Sequence, residues 1–439
     1  NLQYLILYRR MILKSRLACK LPPKTNRTFY FFIGEIKMRT LAIIGAGQRC
    51  YGAFARQLTE KYSDKIKIVG VCDPNVKRCE YYRDTLDADM KIYTDFDLML
   101  NELQPDGVIV ATVDAFHHIY IVKALEKGCD VYTEKPMTID EEKCRVIRDA
   151  ERRTGKKVTV MFNCRFMPYF AKLKELVSTG VIGKILSVQY DYLLNTKHGG
   201  DYFKRWHRFM DLSGGMLVHK ATHHFDIVNW ILDDDPVSVI ALGSKLYFGN
   251  DARAHGERCF SCEHKEGCDA YEFIYDEEFL KKMYLDAESE DGYVRDHCAY
   301  KSDTDIYDSM SVSVEYRKGT LLTYSLNLFN TDEGYTLNLI GEKGRIETST
   351  FFDGEDYKII VRYRNGKVDE ITFPHAEGTH AGGDERMVDM LFGDLKDDPL
   401  GQCSDSFDGM KSIMIGIAAN QSIKEGIKID LGSKLDELK

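Results

Sequence analysis

Two histidines spaced four residues apart are the first sign of chemistry in this sequence. His219 and His223 lie in the segment Ser-Gly-Gly-Met-Leu-Val-His-Lys-Ala-Thr-His-His-Phe-Asp that ends at Asp226, and a helix there would place both on one face. A neutral imidazole, with an unperturbed pKa near 6.5, can take or give a proton at neutral pH. Asp226 would lie on the same face and is expected to orient His223. A metal site is a second interpretation, because H-x-x-x-H with an acid is a ligand spacing, and histidines with purely structural hydrogen bonds are a third.

A glycine turn near the start of the chain indicates a nucleotide site. Gly45-Ala46-Gly47 directly follows an apolar run over residues 40–44. The first glycine allows a tight turn, and the second lets the backbone approach a pyrophosphate at a helix N-terminus. Cys50 stands where the usual G-x-G-x-x-G pattern has its third glycine, so the motif alone is weak and a plain turn is the alternative.

Asp73 gives the nucleotide interpretation more weight. It ends the second apolar run, where an acidic side chain binds the adenosine ribose 2′-hydroxyl and repels a 2′-phosphate. The sequence therefore favours NAD over NADP, although Arg49 and Arg78 would weaken this preference if they faced the ribose. A simple turn or helix cap before Pro74 is the alternative interpretation of Asp73.

The order of the predicted elements indicates two domains. Residues 38–164 alternate apolar strands with helices, which predicts βαβ units and a parallel sheet of the Rossmann type. Residues 165–439 contain strands that alternate apolar and polar side chains, which predicts a large open, mostly antiparallel sheet in an α+β domain. One helix is predicted over residues 217–232, and residues 249–305 fit neither pattern and are predicted to be an insertion. The predicted fold class is α/β, with an N-terminal Rossmann domain and a C-terminal α+β domain.

Glu134-Lys135-Pro136 follows the fifth predicted strand. With the glycine turn, Asp73 and the β-rich second half, it resembles the glucose–fructose oxidoreductase/inositol dehydrogenase family (Gfo/Idh/MocA) over about residues 38–430. The resemblance implies an NAD(H)-dependent oxidoreductase in which Lys135 lies beside the nicotinamide and the substrate hydroxyl, and in which the bond before Pro136 is cis. From spacing alone, Lys135 could equally be a surface lysine before a turn.

The family's second signature is a Gly-Gly segment, an Asp, and a His four residues later. His223 matches that His, whereas His219 stands in the place of the Asp, so the family's sugar dehydrogenase mechanism does not transfer directly. The resemblance assigns catalysis to Lys135, His219 and His223. It assigns cofactor binding to Gly45, Gly47, Gln48, Arg49, Asp73, Thr112, His117, Glu134 and Lys135. It assigns substrate binding to Asn163, Arg165, Tyr192, Arg205, Trp206 and His207. Trp206 would stack on a sugar ring, and a loop packed on the sheet is an equal alternative.

A compact cysteine pattern lies in the predicted insertion. Cys259, Cys262 and Cys268 form C-x2-C-x5-C, and Cys298 follows farther along. Four such ligands could close a structural tetrahedral zinc site, with an iron–sulfur cluster, free thiols or a disulfide as alternatives. A zinc ion there would fix the insertion and would not take part in catalysis.

The composition excludes several classes of function. The net charge of −9 argues against nucleic acid as a partner, because phosphate binding needs concentrated Lys and Arg, and it gives no reason to expect an anionic membrane surface. No apolar run approaches the roughly 20 residues of a membrane span. Scattered thiols are typical of a reduced, cytoplasmic protein. Residues 1–37 lack a signal-peptide pattern, and we expect an extension outside the fold, non-native or disordered, with Met38 as the natural start.

Three functions are compatible with these residues. The first is NAD(H)-dependent oxidation of a hydroxyl on a sugar, polyol or glycoside, in which His223 takes the proton with help from His219. The second is a redox-neutral NAD-dependent glycosidase, which oxidises, eliminates, hydrates and re-reduces; the histidine at position 219 favours it because elimination needs a further proton shuttle. The third is a non-catalytic, NAD-responsive regulatory protein. The expected partner is a small-molecule carbohydrate, and the resemblance implies a homo-oligomer.

Overall fold

A computed structural model describes residues 38–352, 356–374, 378–395 and 397–439. Residues Met38–Lys439 form one compact unit. The predicted extension over residues 1–37 lies outside the described residues.

A seven-stranded sheet dominates the first part of the described chain. Its strands are β1 (Arg39–Ile44), β2 (Ile66–Cys72), β3 (Lys91–Tyr93), β4 (Gly107–Val110), β5 (Asp130–Thr133), β6 (Val158–Val160) and β15 (Ser404–Asp405). Strands β1 to β6 are parallel, and β15 adds an antiparallel edge in the order β15-β6-β5-β4-β1-β2-β3. The strand order reverses beside β1, and in such sheets ligands bind outside the carboxyl ends of the strands at this point.

Helices cover this sheet, and their starts follow simple capping chemistry. The side chains of Asn75, Asp95 and Asp140 each accept a hydrogen bond from a backbone N–H in the first turn of the helix that follows. The helical segments are Gln48–Cys50, Tyr51–Ala55, Arg56–Lys61, Val76–Leu86, Phe96–Leu103, Asp114–Phe116, His117–Glu126, Glu141–Thr154 and Asn163–Phe166.

A nine-stranded sheet forms the second part. Its strands are β7 (Ile185–Asn195), β8 (Pro236–Ser244), β9 (Ser309–Tyr316), β10 (Leu321–Asn330), β11 (Gly334–Gly341), β12 (Gly344–Phe351), β13 (Tyr357–Tyr363), β14 (Val368–Phe373) and β16 (Ile429–Asp430). The strand order is β14-β13-β12-β11-β7-β10-β9-β8-β16. Strands β7 and β10 are parallel, and every other neighbouring pair is antiparallel. Buried and exposed residues alternate along β10, so one face of the sheet packs against helices. The predicted fold class is confirmed.

The helices of the second part differ from the prediction at one important point. The helix predicted over residues 217–232 is broken at Lys220 and Ala221 into two segments. The helical segments of this part are Pro168–Ser178, Thr196–Lys204, Trp206–Arg208, Met210–Ser213, Met216–His219, Thr222–Leu232, Cys259–Ser261, Ile274–Asp276, Glu278–Leu280, Lys281–Leu285, Glu288–Asp291, Thr379–Gly382, Gly383–Phe392, Ser406–Glu425 and Gly432–Leu438. Among the described helices, none is both long and apolar enough to cross a membrane.

The segment predicted as an insertion folds into short helical turns that pack on the Rossmann half. Met283 is fully buried in one cluster with Cys79 and Tyr82. The Asn75 side chain also donates a hydrogen bond to the carbonyl of Ala287 at 2.9 Å. The insertion therefore lies against the helix Val76–Leu86, beside the carboxyl end of β2.

Candidate active site

A cavity of about 1180 Å³ opens at the carboxyl ends of the Rossmann strands. It extends from the glycine turn past Lys135 to the two histidines. Every residue that was assigned to cofactor binding or catalysis lines it, namely Gly45, Gly47, Gln48, Arg49, Asp73, Thr112, His117, Glu134, Lys135, His219 and His223. The structure thus brings the whole predicted set together in one cleft.

The glycine turn has the geometry that a dinucleotide needs. Gly45 has φ +98°, and a Cβ there would collide with the carbonyl of Ala111, so only glycine fits. A Cβ on Gly47 would meet nothing within 4 Å, which leaves open space above its backbone for a pyrophosphate. The carboxylate of Asp73 accepts a hydrogen bond from the Ala46 N–H at 2.8 Å. The residues present therefore fit NAD(H).

Arg49 joins the two halves of the chain at the edge of the cavity. Its Nε donates to Glu134 at 2.7 Å, and its two terminal nitrogens donate to Asp384 at 2.8 and 2.7 Å. Asp384 also accepts a hydrogen bond from the buried amide of Asn163 at 2.8 Å. The guanidinium of Arg49 is paired with these two carboxylates. It is therefore not free to bind the 2′-phosphate of NADP.

Lys135 projects from the loop after β5, which a histidine fixes in place. His117 lies between two carbonyl oxygens, with Nδ1 2.9 Å from that of Pro136 and Nε2 3.1 Å from that of Thr112. The bond between Lys135 and Pro136 is cis, as the resemblance implied. Burial lowers the pKa of Lys135, although the nearby Glu134 carboxylate opposes this shift. The Lys135 ammonium therefore loses its proton more readily than that of a free lysine.

His219 has a partner that the sequence analysis missed. Its Nδ1 lies 2.6 Å from Oδ2 of Asp114, which is buried at the start of the turn after β4. Burial lowers the pKa of His219 well below its usual value, and the charge of Lys135 lowers it further; burial raises the pKa of Asp114 well above its usual range. Burial thus disfavours the charged form of each group, and the 2.6 Å contact holds the two side chains together. The only signal in the sequence was the position of Asp114 just beyond a parallel strand.

His223 lines the same cavity but belongs to the next helix, because the helix that contains His219 ends there. Burial and the cations of Lys135 and His380 lower its pKa well below the usual value. Its Nδ1 is buried without a hydrogen-bond partner among the described residues. The prediction that Asp226 orients His223 is wrong, because that carboxylate binds Arg165 through both oxygens, at 2.6 and 2.8 Å.

The predicted substrate residues divide into three groups. Arg205, Trp206 and His207 line the cavity, and the rings of Trp206 and His207 stack with centroids 3.7 Å apart. Tyr192 instead lines an adjoining cavity of about 280 Å³ that also includes His223, and it stacks on His224 at 4.1 Å. Asn163 and Arg165 line neither cavity.

The assignments of Asn163 and Arg165 to substrate binding therefore need correction. Both side chains are buried and are occupied by Asp384 and Asp226, respectively. They lie in the helical turn Asn163–Phe166 beyond the end of β6, and their side chains tie this turn to helices of the second half.

Several residues of the cavity wall come from places where the sequence gave no motif. Tyr284, Asp291 and Arg295 belong to the insertion, and the Tyr284 hydroxyl accepts a hydrogen bond from the Gln48 N–H at 3.1 Å. Lys220 and Tyr202 also line the cavity, between the predicted site residues. Of these residues, Lys220 had a signal in the sequence, because it immediately follows His219.

The structure does not support the predicted zinc site. Across the described part of the chain, no three His, Cys, Asp or Glu side chains are grouped so that they could hold a metal ion. Cys259, Cys262, Cys268 and Cys298 are free cysteines. The same finding gives no support among the described residues to the metal interpretation of His219 and His223.

Comparisons with known proteins agree with this architecture. A family model described as "Oxidoreductase family, NAD-binding Rossmann fold" matches residues 39–162, and one described as "Oxidoreductase family, C-terminal alpha/beta domain" matches residues 174–431. The chain is 35% identical over 389 residues to the provisionally named oxidoreductase YteT of Bacillus subtilis (strain 168), covering 83% of this chain and 90% of that protein.

Two further relatives are more distant. D-glucoside 3-dehydrogenase of Escherichia coli (strain K12) is 32% identical over 195 residues, which is 44% of this chain and 53% of that protein. The alignment thus spans about half of that relative. The crystal structure of the WlbA dehydrogenase from Bordetella pertussis, in complex with NADH and UDP-GlcNAcA, superposes with a TM-score of 0.63 at 17% identity, covering 90% of this chain and 99% of that chain. At this identity the likeness shows the fold alone.

Proposed function

Because the chain belongs to the Gfo/Idh/MocA oxidoreductase family, we propose that it oxidises a hydroxyl group of a sugar, polyol or glycoside with NAD as the hydride acceptor. One observation carries this proposal: Lys135, His219 and His223 line the same cavity as the glycine turn. The relative named D-glucoside 3-dehydrogenase supports a carbohydrate substrate.

Three side chains of the cavity have a part in removing the hydroxyl proton. Gly47 and Asp73 would hold NAD⁺, which would supply the hydride acceptor. We assign the proton to His219, because Asp114 holds its Nδ1 and leaves Nε2 for the substrate. Lys135 stabilises the negative charge that develops on the oxygen. His223 is the expected second proton-transfer group, because no described side chain fixes its tautomer.

The wall opposite the glycine turn suits a polyhydroxylated ring. Trp206 provides an aromatic face, and it lies edge-on to His219 with the ring centroids 5.8 Å apart. Arg205 and Lys220 supply hydrogen-bond donors in the same wall. Aromatic faces with a few convergent polar groups are typical of sites that bind sugars.

A second candidate function rests on the number of proton-transfer groups. Beyond Lys135, the cavity holds both the His219–Asp114 pair and His223. A redox-neutral glycosidase needs this surplus, because after oxidation one group must remove the proton next to the new carbonyl while another protonates the departing oxygen. Water then adds and the hydride returns, so the net reaction is hydrolysis.

One experiment separates these functions. The chain is incubated with NAD⁺ and a panel of sugars, polyols and aryl glycosides, and NADH absorbance and aglycone release are recorded together. NADH that accumulates with the wild type and is lost in Lys135→Met and His219→Gln supports the dehydrogenase. Aglycone release without NADH supports the glycosidase. NADH binding with neither signal across the panel contradicts both and favours the non-catalytic, NAD-responsive protein.

A further inference from the structure

Arg78 is a cation beside the predicted ribose site. Its Nη1 lies 3.9 Å from Oδ1 of Asp73, and both residues line the cavity. An arginine at this end of the second strand is the group that accommodates the 2′-phosphate in NADP-dependent Rossmann domains. Whether Arg78 is available therefore matters for the choice of cofactor.

The insertion holds Arg78 through four contacts. Nη1 forms an ion pair with Asp291 at 2.9 Å, and Nε donates to the carbonyl of Met283 at 3.1 Å. The guanidinium also lies over the rings of Tyr284 and Tyr293, at 5.4 and 5.5 Å from their centroids. The Arg78 side chain is only 10% exposed, so it cannot swing freely toward a ligand.

Asp291 places a second carboxylate at this end of the cavity. It ends the short helix Glu288–Asp291 and lines the cavity together with Asp73. A 2′-phosphate would approach two carboxylates and a guanidinium whose Nη1 is already paired with Asp291, although its Nη2 is buried without a hydrogen-bond partner among the described residues. A ribose 2′-hydroxyl meets no such repulsion and can donate to Asp73.

We propose that the insertion is a specificity determinant of the cofactor site, in which Asp291 neutralises Arg78 and selects NAD against NADP. This inference rests on the proposed NAD chemistry. It gives the insertion a role in ligand choice that its sequence, with no recognised nucleotide motif, did not suggest.

The test is direct binding of NADH and NADPH, measured by isothermal titration calorimetry on the full chain. The wild type is expected to prefer NADH. Asp291→Asn should tighten NADPH binding about tenfold and leave NADH binding within about twofold, because one repulsive charge is removed and Arg78 is released. Adding Arg78→Gln to Asp291→Asn should abolish most of that gain. Glu290→Gln is the matched control, since it removes a neighbouring carboxylate that pairs with Lys77 and does not line the cavity.

Thermal unfolding of each variant shows whether it is folded, and Asp291→Ser serves as a second variant if Asp291→Asn is not. An NADPH-to-NADH affinity ratio that changes no more in the Asp291 variants than in Glu290→Gln would overturn this inference alone. A gain that persists without Arg78 would overturn the role of that arginine. A wild type that binds neither nucleotide would overturn the proposed function as well.

Discussion

Nδ1 of His219 lies 2.6 Å from Oδ2 of Asp114, although the two residues are 105 positions apart. Asp114 begins the turn after β4 in the Rossmann half, and His219 ends the short helix Met216–His219 in the second half. The family pattern places an Asp at position 219, four residues before His223. Here the carboxylate of Asp114 reaches the same region from the turn after β4. The site therefore still pairs an acid with an imidazole, but the acid comes from a different part of the chain.

Asp114→Asn should lower kcat about 100-fold or more, because the carboxylate positions His219 and supports its positive form. NADH binding should stay within about twofold. The loss of the negative charge should also move the acid limb of the pH–rate profile to lower pH, an effect that a purely structural defect would not produce. Asp97→Asn, a change at an exposed carboxylate paired with Lys123, is the control. A kcat within about threefold of the wild type would contradict the positioning role.

Both limbs of the pH–rate profile should lie at lower pH than the ordinary pKa values of histidine and lysine predict. Burial lowers the pKa of His219 from 6.5, so the neutral base persists, and activity with it, to a pH below that value. Burial also lowers the pKa of Lys135 from 10.5, so the cation, and activity with it, is lost as pH rises through a value below 10.5. The measurement is kcat/KM from about pH 5 to about pH 11.

Lys135→Arg provides the matched variant for the alkaline limb. A guanidinium keeps its charge over the whole range, so the variant should be slower than the wild type but should show no alkaline decline. An alkaline limb that is identical in both proteins would assign that titration to another group.

The sequence predicts those site residues whose positions depend on residues close to them in the chain. Gly45 and Asp73 were identified because each directly follows a strand of a parallel sheet, where ligand groups gather, whereas Lys135 was identified by the family resemblance. Asp114 obeys the same rule, but its role depends on a contact with a distant helix. Asp291 belongs to an insertion without a nucleotide-binding motif, and packing on the Rossmann half brings it to Arg78.

The wrong predictions have equally local causes. The spacing of His219 and His223 predicts that they share one face of one helix. The helix is instead interrupted at Lys220, and no glycine or proline there signals the interruption. The cysteine spacing suggests zinc, but spacing does not fix the distances between side chains.

Tyr284→Phe should weaken NADH binding about tenfold. The hydroxyl accepts a hydrogen bond from the Gln48 N–H at the glycine turn, and its own proton is then available to a phosphate oxygen. Hydrogen bonds to charged acceptors contribute about 1.5–3 kcal/mol, which is consistent with this loss. Calorimetric titration measures it, with Tyr271→Phe as a control in the insertion, away from the cavity. Unchanged or tighter binding would mean that the hydroxyl competes with the cofactor for the Gln48 N–H.

Asp226→Asn should destabilise the fold by about 3 kcal/mol, because it breaks a buried ion pair and leaves the Arg165 guanidinium to the partly exposed carboxylate of Asp408, 3.3 Å away. The two side chains are 3% and 1% exposed, so water cannot replace the lost contact. Urea unfolding followed by circular dichroism measures the change. Asp149→Asn, which removes an exposed pair with Arg152, should cost no more than about 1 kcal/mol.

Replacing both partners of the buried pair decides between a structural and a substrate-binding role for Arg165. If the pair is structural, Arg165→Met with Asp226→Leu should recover much of the stability that Asp226→Asn loses, because no buried charge remains unpaired. The same double variant should then keep its KM for the carbohydrate substrate close to that of the wild type. A large increase in KM in a stable double variant would return Arg165 to the substrate site, where the sequence alone had placed it.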